Sequence, residues 1–198
     1  PPEAFIGFTN SDLAFTGDYA IQGNYNGVIV WDLSDPSAPE IVTEYVCPAS
    51  QSDVSVYGDL LFVSGEGLGG RLDCGTQGVQ EAVSADRLRG IRIFDISDIR
   101  DPQYISNVQT CRGSHTHSVL KDPNDDENVY IYVSGSAPVR PADELPGAPS
   151  PEILRVSPDA LAIDEAPRYG DAVDEALAVL GWSAESFDLF RVAVPYPA

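Results

Sequence analysis

The sequence predicts an all-β fold, a β-propeller seen in part with about three to four blades, and three recurrences carry that prediction. Asn10 to Asp18 (NSDLAFTGD) returns as Gln51 to Asp59 (QSDVSVYGD), a constant shift of 41 residues. Gly27 to Asp35 (GVIVWDLSD) returns as Gly90 to Asp98 (GIRIFDISD). A third copy opens where Cys111 to Val119 (CRGSHTHSV) aligns without a gap on Cys47 to Ser55 (CPASQSDVS). Each unit reads as strand, turn, strand, Asp-capped turn. An immunoglobulin-like sandwich also has many short strands but need not repeat internally.

The elements follow in order. In the first unit, residues 28–33 are short, β-branched and aromatic, bounded by Gly27 and Asp35, which marks a strand. Asp32 follows Trp31 and caps the next turn, as Asx side chains do. Asp35-Pro36 and Ala38-Pro39 fix that turn, because proline presets its φ and donates nothing to a ladder. In the second unit, residues 60–63 and 91–96 are strands, Asp95 repeats the cap, and Asp101-Pro102 repeats the turn. Residues 66–89 are a Gly-rich insertion between the second and third strands. In the third unit, residues 129–133 are a strand, and a Pro-rich and helical insertion occupies residues 137–188. There Ser157-Pro158-Asp159 starts a helix, and Ala172, Val173, Ala176, Leu177, Val179 and Leu180 recur at helical spacing until Gly181. Residues 189–194 then repeat the strand at Val28. Residues 1–198 therefore read as one propeller domain or a fragment of one. The open strand edges of such a fragment call for remaining blades outside this sequence or for a protein partner.

Charge excludes one class of partner. With 31 acidic against 11 basic residues, Lys121 the only lysine, the net charge is −20. Nucleic acid binding needs clustered Lys and Arg, so no nucleic acid is expected. The same acidity suits solubility, divalent cations, a cationic partner or a salty environment. No apolar run approaches the roughly 20 residues that span a bilayer. The chain begins Pro1-Pro2 and contains no Met, so its natural N-terminus is expected outside this sequence or removed. Three cysteines leave one over after pairing. A Cys47–Cys74 disulfide tethering the Gly-rich insertion is the preferred arrangement, with three reduced thiols as the alternative. No spacing supports structural zinc.

The segments Val28 to Asp32, Arg92 to Ile96, Cys111 to Val119 and Tyr130 to Gly135 resemble the LVIVD-repeat family of secreted bacterial β-propeller proteins. The resemblance covers Ser11 to Arg140. It implies an extracytoplasmic location (periplasmic, secreted or cell-surface) and little chemistry. The stretch around residues 171–180 departs from the family pattern.

Site candidates follow from the repeat alignment. It places Asp12, Asp53 and His117 at one position, with Asn10, Gln51 and His115 two residues earlier. Positions i and i+2 share a strand face, so the residues converge where innermost strands line a channel. Carboxylates and imidazoles there could hold Zn, Mn or Fe, with His115, His117, Asp53 and Asp12 as ligands. The competing role is scaffolding, since buried polar groups must find partners and scaffolding needs recur in every blade. Asp122, Asn124 and Asp126 offer calcium oxygens at alternate positions, but the segment lacks the sharp-turn glycine and the bidentate Glu, and an acidic hairpin turn fits it better. Gly65 to Gly70 spells G-x-G-x-x-G without a following helix, so it binds no dinucleotide. No nucleophile elbow is present. These features predict a protein-interaction scaffold or accessory subunit, with a metal-dependent His/Asp enzyme as the alternative.

Overall fold

A computed structural model describes residues 2–121, 123, 128–144, 163–164 and 189–195. Among these residues, three antiparallel four-stranded sheets form three propeller blades. Blade 1 is Asn10–Thr16 (β1), Tyr19–Asn24 (β2), Gly27–Asp32 (β3) and Glu40–Val46 (β4). Blade 2 is Val54–Tyr57 (β5), Leu60–Gly65 (β6), Gly90–Asp95 (β7) and Gln103–Gln109 (β8). Blade 3 contains Thr116–Leu120 (β9), Asn128–Ser134 (β10), Ile163–Asp164 (β11) and Leu189–Pro195 (β12), in the order β11-β12-β10-β9. The strand that repeats Val28 thus takes third place in its blade, and β11 takes the outermost place although it precedes β12 in the chain. The first strands β1, β5 and β9 lie side by side and form the shared inner edge.

Period-2 alternation builds the core between blades. In β6, Leu61 and Val63 face blade 1 and pack with Ile21, Val28 and Val30. Phe62 faces the other way and packs with Val129, Ile131 and Val133 of blade 3. Each such side chain is almost fully buried, and each contributes about 1.5–3 kcal/mol. The repeated glycine that opens the third strand of blades 1 and 2 has a physical cause. Gly27 and Gly90 adopt φ +141° and +152°, and a Cβ there would lie 2.1 Å from the Tyr45 carbonyl oxygen and 1.9 Å from that of Val108. Blades 1 and 2 also share a bulge, after Val30 and after Ile93 respectively. The expected Asx caps are present, with the Ser34 N–H donating to Asp32 at 2.9 Å and that of Ser97 to Asp95 at 2.8 Å. These bonds hold both carboxyls below the ordinary Asp value.

The structure corrects the alignment of the third copy by one residue. Gly27 pairs with Val46 as Gly90 pairs with Gln109. The next N–H groups match too, Cys47 donating to Asn26 and Thr110 to Arg89, both at 2.9 Å. Thr110, not Cys111, is therefore the counterpart of Cys47. In the ladder, Leu13 pairs with Gln22, Val54 with Val63 and His117 with Val133. His117 thus occupies the place of Leu13 and Val54, and Thr116 the place of Asp12 and Asp53. Shared cysteines favoured an ungapped match, whereas strand pairing sets the register. A slip of one residue turns a side chain to the opposite face.

Strand alternation sorts the loops to two ends. The β2–β3 turn and residues 47–53, 66–89, 110–115 and 135–144 all gather at one end, the elaborated end, where hydrogen bonds join them. Cys47 and Cys74 are disulfide-linked there, with Cα atoms 4.3 Å apart, and Cys111 is buried at the same end but outside the disulfide. The helix expected between residues 157 and 181, and Asp122, Asn124 and Asp126, lie outside the described residues. Among the described residues, the helical elements are two 3-10 turns, Glu3–Phe5 and Ala142–Glu144, and no helix is long and apolar enough to cross a membrane.

Candidate functional site

The elaborated end holds two histidine clusters and a set of buried arginines. The repeat register explains why the histidines separate. His117 lies in β9 and points back at blade 2, whereas His115 precedes the strand, in the connector at the elaborated end.

His117 meets the inner strand of blade 2. Its Nδ1 lies 3.0 Å from Asp53 Oδ2 and 2.8 Å from Ser64 Oγ, and its backbone N–H donates to the same Asp53 oxygen at 2.9 Å. Ser64 Oγ is in turn 2.7 Å from Ser114 Oγ. Burial pushes the Asp53 carboxyl up, but the bonds and charge of His117 and a contact with Asp12 outweigh it, so the group sits below the ordinary Asp value. Asp12 bridges the preceding pair of blades in the same way, accepting the Val54 N–H at 3.2 Å. Each aspartate is thus a clasp laid across the inner edge onto the next blade. His117 Nε2 is buried without a hydrogen-bond partner.

His115 meets a carboxylate that sequence reasoning missed. Its Nδ1 lies 2.6 Å from Glu66 Oε1, with Gln51 Nε2 at 2.6 Å and Ser136 Oγ at 3.1 Å from the same nitrogen. Glu66 also accepts from the Gln51 amide at 3.3 Å and from the Ser136 N–H at 3.1 Å. Burial raises the Glu66 carboxyl, and these donors together bring it below the usual Glu value. The only signal for Glu66 in the sequence is a lone carboxylate inside the Gly65–Gly70 run, and nothing local marks Ser136.

Both clusters contain serine, histidine and a carboxylate, yet neither is wired as a relay. A nucleophilic triad needs the hydroxyl on one ring nitrogen and the carboxylate on the other. Here both partners meet Nδ1 in each cluster. The metal set predicted from the sequence is divided: Asp53 and His117 are brought together with Asp12 beside them, and His115 belongs to Glu66. Among the described residues, no group of three or more His, Cys, Asp or Glu is placed to hold a metal ion.

Arginines brace the loops. Arg87 Nη1 lies 2.6 Å from Glu144 Oε1 and 3.1 Å from the Ala82 carbonyl, and its Nε donates to Leu68 at 2.7 Å. Arg140 donates to Gln109 at 2.6 Å and to the Arg87 carbonyl at 3.1 Å. Residues 66–89 and 137–144 are thereby fastened to each other. Arg92 lies fully buried under the disulfide and donates to the carbonyls of Cys47 (3.0 Å), Pro48 (3.2 Å) and Arg71 (2.9 Å). Burial pushes its guanidinium down to about 10, against the upward pull of Tyr104.

No curated protein matches the chain in sequence. Residues 9–46 match the family model described as LVIVD repeat, and β1 to β4 span residues 10–46. The chain therefore carries an LVIVD repeat, and that repeat is its first propeller blade.

Proposed function

We propose that this chain belongs to an extracytoplasmic β-propeller that works by binding, as a protein-interaction scaffold or an accessory subunit of a larger assembly, through its elaborated end. The observation that carries this reading is the concentration of bracing at that end. A disulfide, Arg92 and the Arg87–Glu144–Arg140 set hold long loops in one shape, while those loops keep Leu68, Val83 and Val139 exposed. Loops held rigid on a β scaffold are where binding surfaces concentrate, and apolar anchors in such loops are what a partner buries. A disulfide agrees with an oxidising compartment.

The test is a pull-down from the native source with the wild-type chain and with Leu68→Glu/Val139→Glu. The reading expects one protein in stoichiometric amount with wild type and its loss from the double variant at unchanged melting temperature. Identical recovery from both, or a native chain that runs as an isolated monomer, contradicts it.

A further inference from the structure

The clasps between blades run in one direction. Asp12 of blade 1 takes the Val54 N–H, and Asp53 of blade 2 takes the His117 N–H. The ladder equivalent of these two receivers in blade 1 is Leu13. Alternating pairing turns the N–H of Val54 and His117 outward at the inner edge, and the Leu13 N–H turns the same way.

The side chains around that N–H repeat an interface whose other half is elsewhere filled. Val54, the counterpart of Leu13, is 3% exposed because blade 1 covers it, whereas Leu13 is 51% exposed. Val56, the counterpart of Phe15, packs on the core between blades 1 and 2, whereas Phe15 is 63% exposed. Trp31 replaces the buried Phe94 on the same face and donates to Gln22 at 3.1 Å. An open cleft of about 280 Å³ runs along Asn10, Ser11, Asp12, Leu13 and Gln22.

We propose that this face of blade 1 is the docking surface for a further four-stranded blade of the same repeat, one that carries an aspartate at the clasp position and lays its carboxylate on the Leu13 N–H. The two interfaces between blades 1, 2 and 3 are the template. Each combines an apolar face with one charge-assisted bond to an inner-edge amide. Blade 3 of a second copy does not qualify as the occupant, because Thr116 stands at the clasp position and has no carboxylate. The surface is separate from the elaborated end, so the proposal stands apart from the function assigned to that end.

The test joins a second copy of residues 1–46 ahead of the intact chain through a flexible linker. Phe15→Tyr in the added copy distinguishes the two sets of peptides by mass. Docking predicts that the Leu13 amide of the original chain exchanges hydrogen at least tenfold more slowly than in the unfused chain. Asp12→Ala in the added copy alone restores the faster rate. Unchanged exchange at Leu13 overturns the proposal. So does an added copy that exchanges like unfolded chain, since the docking face is what supplies its packing. Light scattering on the recombinant unfused chain, purified without any partner from the native source, tests the occupant: a single-copy mass is expected, and a dimer abolished by Leu13→Glu would overturn the assignment to an aspartate-bearing blade.

Discussion

Asp53→Ala removes the clasp between blades 2 and 3, and its cost follows from the geometry. The substitution deletes a carboxylate bonded to the His117 N–H at 2.9 Å and facing its Nδ1 at 3.0 Å. A hydrogen bond to a charged group contributes about 1.5–3 kcal/mol, and stranding a donor adds to that. The carboxylate is 18% exposed, so solvent replaces it incompletely. The expected loss is about 2–4 kcal/mol, which for a chain of this size lowers Tm by about 5–15 °C. The pH dependence gives a second reading. Because the folded pKa of Asp53 is depressed, its contribution is complete above the unfolded value of about 3.9 and is lost as pH falls through the lower folded value. Chemical denaturation of wild type and Asp53→Asn from neutral pH to pH 2 measures both effects. Wild type loses stability on the acid side, and the variant loses less over the same range. A change in stability below about 0.5 kcal/mol on Asp53→Ala, as for an ordinary surface site, refutes the clasp.

Other perturbations have equally direct outcomes. Reducing Cys47–Cys74, which are 27 residues apart, costs roughly 3–4 kcal/mol by loop entropy, measurable as a lower urea midpoint in the presence of reductant. Gly90→Ala places a Cβ against the Val108 carbonyl at φ +152° and should cost about 3 kcal/mol or more or prevent folding, whereas Gly17→Ala, with nothing near its Cβ, should be milder by thermal melting. Arg92→Met removes three bonds to the carbonyls beneath the disulfide, so faster proteolysis within residues 66–89 is expected while blade 1 stays protected from hydrogen exchange. Glu66→Ala removes the buried carboxylate on which His115 Nδ1 and the Ser136 N–H converge, and should cost roughly 1.5–3 kcal/mol in chemical denaturation.

The blades were legible because their signals are local and repeated. Gly27 and Gly90 mark a backbone geometry that other residues resist, Asp32 and Asp95 mark turns, and β-branched runs mark strands. The register of the third copy was not legible, because the cysteines and serines after Cys47 and Cys111 align well one residue away from the true pairing. That slip put His117 level with Asp53, when it is the partner of Asp53. The cysteine arithmetic placed Cys74 beside Cys47 because an insertion needs a tether. Glu66, Ser136 and the arginine set were hidden for another reason. Their partners lie 49 or more residues away for Glu66 with His115 and Ser136, and 57 away for Arg87 with Glu144, so only the folded chain reveals them.

The central claim is that aspartates clasp successive blades in the register Asp12 to Val54 and Asp53 to His117. Scalar coupling across hydrogen bonds, measured between backbone ¹⁵N and side-chain ¹³Cγ in labelled protein, tests it directly. The account predicts coupling of the Val54 nitrogen to the Asp12 carboxyl carbon and of the His117 nitrogen to that of Asp53. Coupling of the Asp53 carboxyl to the Ser118 amide instead, or none at either receiver, would contradict it.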